Sequence, residues 1–351
     1  MTHRVPRFMR RRLRVTTALK LLLLALSACG GGPNLTDANV VHNEGLEPIP
    51  DAGAAPTTAV ADAGGGGGGG SSAAASPSEI FPPDSPWNTR IDGEPVDPRS
   101  DAYIASMGAD DPLVASWDAE GDGLPYVEVP GNQQKVPVSF WGFPDESDPG
   151  RYPIPWNAPI DVSPDHHVLV VDRANGWLYE LFRGSRNADG SWEASNGARW
   201  NLRTSDRRPE RWASADAAGM PIFPGLVRWD EVENGWIGHA LRFAVNRSQA
   251  GFVWPASHAA GTCALGSDCP PMGLRVRLKK SVDISGFSAR MQVILRALRE
   301  YGMFVADNSG GTSWWVAGAP DQRWSDQEDL TLGALQGRDF EVVQAGQIQP
   351  Q

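Results

Sequence analysis

His166-His-Val-Leu-Val-Val-Asp172, Arg173-Ala-Asn-Gly176, Trp177-Leu-Tyr-Glu-Leu-Phe182 is the stretch whose reading decides the fold. Two runs rich in Val, Leu and aromatic residues are separated by a turn ending in Asn175-Gly176, the composition of a β-hairpin. Pairing Asp172 with Trp177 sets Glu180 opposite Leu169, on one face with His167, Val171, Leu178 and Phe182. Glu180 is then an acid among apolar neighbours. Burial of that kind raises a carboxyl's proton affinity, as a general acid requires, and His167 lies one diagonal step away. An ion pair with an arginine is the structural alternative.

Outward from this hairpin, short runs bounded by Gly, Pro, Asp and Asn predict further strands at residues 124–129, 136–141, 226–229, 239–245, 252–254 and 274–278. Phe287, Met291, Ile294, Leu295, Leu298 and Tyr301 share one helical face that Gly302 stops. Ser325 with Glu328 has the spacing of a capping box before a last helix and a strand at 340–343. The expected fold is mainly β: an antiparallel β-sandwich with a few peripheral helices, its α+β elements near the C-terminus. With no internal repeat and no second low-complexity linker, residues 79–351 read as a single globular domain.

A second hairpin is expected from His239-Ala-Leu-Arg-Phe-Ala-Val245 and Phe252-Val-Trp-Pro-Ala-Ser-His258. Pairing Asn246 with Gly251 sets Phe243 opposite Trp254 and His239 opposite His258, with the two histidine Cβ atoms about 5 Å apart. Pro255 marks that strand as irregular or an edge. Beyond it, Cys263 and Cys269 bracket a short loop before Pro270-Pro271 and read as a local disulfide in an oxidising compartment, metal binding being the weaker reading.

Further acids are Asp216, the adjacent Asp230 and Glu231, and Asp307 beside Asn308. If a strand continues through them, Asp230 and Glu231 point to opposite faces, so at most one enters a cleft. Asp307-Asn308 ends an expected strand and precedes Ser309-Gly310-Gly311, a position suited to a binding loop and equally to turn chemistry. The chain has no His-Glu-x-x-His, no Gly-x-Ser-x-Gly and no phosphate loop, and no cofactor is expected. All 14 Trp follow residue 79. Many flank polar residues, and flat rings beside polar groups suit sugars, which present C–H faces and hydroxyl edges. Trp87 and Trp192 stand in turn-rich contexts where burial is not assured.

The runs Phe81-Pro-Pro-Asp-Ser-Pro-Trp-Asn-Thr89, Ser214-Ala-Asp-Ala-Ala-Gly-Met-Pro-Ile-Phe-Pro-Gly-Leu-Val-Arg228, Asp230-Glu-Val232, His239-Ala-Leu-Arg-Phe243, Pro270-Pro-Met-Gly-Leu-Arg275, Val282-Asp-Ile-Ser-Gly-Phe287 and Ala306-Asp-Asn308 resemble a widespread family of secreted bacterial proteins of uncharacterised function. The resemblance spans nearly all of residues 80–343. It implies that Asp216, Arg228, Asp230, Glu231, His239, Arg242, Arg275, Asp307 and Asn308 belong to the family pattern, and it brings no activity with it.

The N-terminus has the three parts of an export signal: seven Arg and Lys from Arg4 to Lys20, an apolar stretch at 21–26, and small residues before Cys29. That stretch is shorter than the roughly 20 apolar residues of a membrane span. Leu26-Ser-Ala-Cys29 resembles the lipobox of bacterial lipoproteins, which implies lipidation of Cys29 at the end of a signal peptide 1–29. Gly30 after it resembles lipoproteins bound for an outer membrane, if the host has one. Residues 30–78 lack Lys, Arg, Trp, Phe and Tyr, include the Gly64–Gly70 run, and read as a disordered tether with a reach of about 40 Å.

The chain carries 31 basic and 42 acidic residues; seven of the basic residues and no acid precede Cys29, which leaves 31 − 7 = 24 against 42, a net of −18. That balance disfavours nucleic acid as a partner. The function expected is an enzyme, exported and lipid-anchored to the cell envelope, acting on extracellular or cell-wall polysaccharide as a glycoside hydrolase or lyase. Catalytic candidates are Glu180, Asp230, Glu231, His239, His258 and Asp307; His167, Asp216, Arg228, Arg242, Arg275 and Asn308 would bind substrate. The expected partners are membrane lipid, through Cys29, and a surface glycan. A non-catalytic carbohydrate-binding or adhesion lipoprotein, and a metal site on His239, His258 and a third ligand, are the alternatives.

Overall fold

The structure is a computed structural model that describes residues 80–119, 121–309 and 311–351. The signal segment, Cys29 and the tether lie outside the described residues. The described part is mainly β, with 16 strands and four short α-helices. The opening hairpin forms as expected from β5 (Val168–Asp172) and β6 (Trp177–Phe182), in the register Asp172 to Trp177 and Leu169 to Glu180. The Asp172 carboxylate closes the turn, accepting from the Asn175 backbone and side-chain N–H groups at 3.1 and 2.8 Å.

This hairpin is the middle of a four-stranded sheet, flanked by β2 (Tyr126–Glu128), parallel to β5, and β9 (Asn196–Asn201), antiparallel to β6. Both its faces are covered. Leu169, Val171, Leu178 and Ala198 enter the main core, while Val168, Val170, Tyr179 and Leu181 enter a second core with Tyr152, Ile154 and Trp192. A strand buried on both sides needs apolar residues on both, which is why 168–171 is a continuous apolar run rather than an alternating one. The second core is closed by another four-stranded sheet, in the order β4 (Gly150–Tyr152), β3 (Val136–Phe140), β8 (Trp192–Ala194), β7 (Ser185–Arg186).

Across the main core lies a six-stranded sheet in the order β1 (Leu113–Ser116), β14 (Trp314–Ala317), β10 (Leu241–Val245), β13 (Met303–Asn308), β12 (Arg275–Leu278), β15 (Phe340–Val342). It is mixed rather than antiparallel: β1 runs parallel to β14, and β10 to β13. The β10-to-β13 connection carries the expected amphipathic helix, Ala289–Glu300. The Ser288 hydroxyl accepts from the Met291 N–H, and Met291, Ile294, Leu295 and Leu298 are fully buried. Gly302, at φ +67°, then takes a left-handed turn that a side chain would resist.

Three expectations are corrected. β10 uses both of its edges on β13 and β14, so it does not pair with 252–258; β11 (Gly251–Phe252) instead pairs with β16 (Gln349–Pro350). A buried central strand needs a neighbour with a full set of donors, and the segment holding exposed Trp254 and Pro255 cannot supply one. Residues 226–229 are not a strand either: Val227 makes one bridge, to Gly318, and the chain enters a short helix, Trp229–Glu233. Asp230 and Glu231 fall in its first turn, where the helix dipole favours acids. Finally, Ser325 precedes a helix, Asp326–Asp329, without capping it through its side chain; the reciprocal box forms at Gln336 and Asp339, just before β15.

Between the facing sheets runs a strap, residues 213–229, whose only regular piece before Trp229 is the 3-10 turn Phe223–Gly225 and whose residues are buried except half-buried Ala217. Buried irregular backbone must find partners for its polar groups. Here charged and hydroxyl side chains provide many of them. The Ser214 hydroxyl donates to the Met220 carbonyl at 2.7 Å, the Ser257 hydroxyl to that of Gly219 at 3.0 Å, and Glu146 accepts from the Ala213 N–H at 2.7 Å. Gly219, at φ +68°, sits so close to Ser257 Oγ that a Cβ there would fall 2.2 Å from it.

Candidate functional site

Three groups of buried charge meet this strap, and they differ in how completely they are partnered. Glu180 is fully buried; its Oε1 accepts from the Ile222 and Phe223 N–H groups at 2.9 and 2.8 Å, and its Oε2 from the Trp200 indole N–H at 3.0 Å. Burial pushes its carboxyl up to about 7 against the pull of these donors. With its oxygens occupied, Glu180 ties β6 to the strap. His167 does not bond to it: the ring packs on Phe182 with centroids 5.7 Å apart, and its Nδ1 lies 3.4 Å from the Leu181 carbonyl oxygen.

Arg228, Glu231 and His239 form the second group, also buried. Arg228 donates to Glu231 Oε1 at 2.6 Å and, through Nη1, to the Phe223 carbonyl at 3.0 Å. The Phe223 peptide is thus held at its N–H by Glu180 and at its carbonyl by Arg228. His239 Nδ1 donates to the Ala240 carbonyl at 2.8 Å, leaving Nε2 at 3.2 Å from both Arg228 Nη2 and Glu231 Oε2. Burial acts to raise the Glu231 carboxyl, but Arg228 and His239 outweigh it and hold it below its ordinary value.

Arg242 on β10 is the centre of the third group. It is buried and lies 3.3 Å from Asp216 Oδ1. Burial pushes Asp216 up to about 7 against the attraction of Arg242, and the charge of Asp307 adds to the rise. Asp307 is itself raised by burial, with Arg242 and the Asn308 N–H opposing. Burial holds His167 below its ordinary value, and Arg242 adds to that. The β10–β13 register sets Asp307 beside Ala244, two residues along β10 from Arg242, and Arg242 reaches Asp216, which brings the three into one neighbourhood. A β-bulge builds it: the β10–β13 register skips Ala306, whose carbonyl is then free of the ladder and accepts from the Ala218 N–H at 3.1 Å, docking the strap beside Asp307.

This third group alone is incomplete. Among the described residues, Asp216 Oδ2, Arg242 Nε and Asn308 Oδ1 are buried with no hydrogen-bond partner, whereas the Glu180 and Glu231 oxygens are all engaged. Asp307, Asn308 and Asp165 are half-buried, and the Asp165 charge adds to the rise of Asp307; His258, also half-buried, bonds to the strap at Ala217. A buried arginine beside carboxyls of raised proton affinity can hold an anion, and Asp216, at about 7, can exchange a proton near neutrality. Sequence reasoning missed Asp165, although it directly precedes the paired histidines.

The remaining candidates lie elsewhere. Asp230 is exposed and pairs with Arg323 at 3.0 Å, so one of the adjacent acids does turn inward, through helix geometry rather than strand alternation. Arg275 donates to the Tyr301, Pro86 and Thr89 carbonyls at 2.8, 3.0 and 2.7 Å and pins the N-terminal run of the domain. His239 and His258 are not cross-strand partners; His258 Nδ1 donates to the Ala217 carbonyl at 2.7 Å. Among the described residues no group of three or more His, Cys, Asp or Glu side chains is placed to hold a metal. The Cys263–Cys269 disulfide is formed, and Gln249 braces its loop through the Gly266 N–H and the Cys269 carbonyl.

Trp87 and Trp192, whose burial the sequence left open, are both buried: the first packs on Phe304 and the second fills the smaller core. Trp87, Trp200 and Trp254 line a small pocket of about 30 Å³ with Ser205, Asp206 and Arg207. Trp254 is 63% exposed, and the pocket's Gly219–Pro221 wall belongs to the strap that carries Asp216. Compared with family models, curated proteins and solved structures, the chain shows no match.

Proposed function

We propose that the domain is an enzyme that cleaves an extracellular or cell-wall polysaccharide by acid–base chemistry at Asp216, Arg242 and Asp307. The observation that carries this reading is the pair of carboxyls, both raised in proton affinity, near a buried arginine whose Nε has no partner among the described residues. Asp216, at about 7, is protonated in a large fraction at neutral pH and is suited to protonate a leaving glycosidic oxygen. Asp307, half-buried, is suited to take a proton from water, or from a sugar carbon if the cleavage is an elimination. Arg242 would neutralise a substrate carboxylate in either case. The basic and apolar start of the chain, Cys29 and the tether support an exported, lipid-anchored location at the envelope.

Purified residues 79–351 incubated with panels of glycans and peptidoglycan should release reducing ends or unsaturated product, and D307N should abolish that release. Binding without turnover by any glycan would overturn the enzymatic reading. It would favour the second one, a carbohydrate-binding module, for which the exposed Trp254 ring beside a tryptophan-lined pocket speaks.

A further inference from the structure

β7 is the edge strand of its sheet, and Arg186 on it lies across from Trp192 of β8. Its guanidinium carbon lies over two indoles, 4.6 Å from the Trp156 ring centroid and 5.2 Å from that of Trp192. Trp192 is buried, whereas Trp156 is 63% exposed. Among the described residues Arg186 has no acidic partner, and its buried Nε has no hydrogen-bond acceptor. The nearby acids are engaged elsewhere. Glu193, next to Trp192 on β8, falls on the opposite face by strand alternation and accepts from Ser185 Oγ at 3.1 Å. Asp189, in the following turn, accepts from the Ser191 N–H and hydroxyl at 2.9 and 2.6 Å.

An arginine packed against two indoles keeps its remaining N–H donors for a ligand, part of a planar fork that matches the oxygens of a carboxylate or sulfate. Beside it, the outer face of Trp156 offers a flat apolar surface. In a chain of net charge −11, a cation without an acidic partner at an exposed indole is out of keeping with its surroundings. We infer that Arg186 and Trp156 form an accessory docking site for an anionic sugar ring of a polysaccharide, distinct from the Asp216–Arg242–Asp307 centre. The inference rests on the reading that this domain acts on polysaccharide, and it fixes the substrate class as acidic. Arg186 would grip the ring's oxyanion while the C–H face lies on Trp156. If Arg186 served only to cover Trp192 at the edge of the core, its replacement would cost stability and leave ligand binding alone.

The test is affinity electrophoresis of residues 79–351 in gels containing a polyuronate, a sulfated galactan or a neutral glucan, with melting temperatures measured alongside. Retardation by one of the anionic polymers, weakened by salt and cut at least 10-fold in R186Q and in W156A, is the expected result. The polymer that retards identifies the oxyanion. R186K, which keeps charge but loses the fork, should fall between. Trp156 is exposed enough for W156A to fold, so that variant decides the matter if R186Q does not. Retardation unchanged in W156A, or equal in the neutral gel, overturns the inference and leaves the proposed chemistry standing. D307N separates the two: it should lose turnover and keep retardation. A D307N that keeps both removes the catalytic reading and leaves this site intact.

Discussion

Buried charge meets the same strap at two places, and it is arranged differently at each. Around Phe223, Glu180 and the Arg228–Glu231–His239 set give every carboxylate oxygen a donor. Around Ala217, Asp216, Arg242 and Asn308 keep atoms that nothing among the described residues engages. Charges taken out of water are tolerated when they are paired and bonded, and an unpaired one is costly. The first group therefore reads as a fastening for irregular backbone. The second reads as a place left for something else to complete.

The comparison breaks first on activity. D307N and D216N should each lower turnover by about 10²- to 10⁴-fold, the range expected for removing a positioned acid or base, while the domain stays folded by circular dichroism. E180Q, which keeps one acceptor oxygen for the strap, should retain most of the activity. If D307N were as active as the wild type, the incomplete group would be a structural imperfection and the contrast would disappear.

Stability should respond in the reverse order. E180A leaves the Ile222, Phe223 and Trp200 N–H groups without acceptors and should cost about 3 to 5 kcal/mol in denaturant unfolding, against a small change for D307N. Equal losses in the two variants would erase the distinction between fastening and site.

The pH dependence sharpens it with opposite signs. Asp216, with an ordinary value of 3.8 and a folded value of about 7, holds its proton in the folded state over a range where the unfolded chain has released it. Its contribution makes the domain less stable as pH rises from about 4 to about 7, and D216N should flatten part of that slope; Glu180, raised likewise, keeps the rest. Glu231, held below its ordinary value, contributes stability that is present above about 4.5 and lost as pH falls through its folded value. E231Q should therefore blunt acid unfolding. Unfolding measured from pH 3 to 8 would show both effects. The smallest change belongs to D230N, whose exposed pair with Arg323 should leave the melting temperature where it was.

How far these features could be read in advance depended on the distance of each partner along the chain. The β5–β6 register followed from residues a few positions apart, and with it the burial of Glu180. The helix at 289–300 followed from its period and from Gly302. β10 was recognisable as a strand, but its neighbours β13 and β14 lie far downstream, and a local rule assigned it the nearest apolar run instead. The strap has no period at all. Its identity lies in which side chains satisfy its backbone, and neither Ser214 nor Glu180 announces that task. Asp216, Arg242, Asp307 and Asn308 were all singled out as residues, but their assembly turns on a bulge at Ala306 that no composition marks.

The parallel alignment of β10 with β13 has a consequence in time. Arg242 and Asp307 meet only after the whole crossover between those strands has been made, and Asp216 joins them only when the Ala306 carbonyl is there to receive the strap. Local contacts close quickly and such distant ones late. The centre is therefore among the last parts of the domain to exist. For a chain exported as proposed here, that is a safeguard: while it is being made and moved it carries every residue of its chemistry and none of the arrangement, and it becomes competent only once it has folded at its destination.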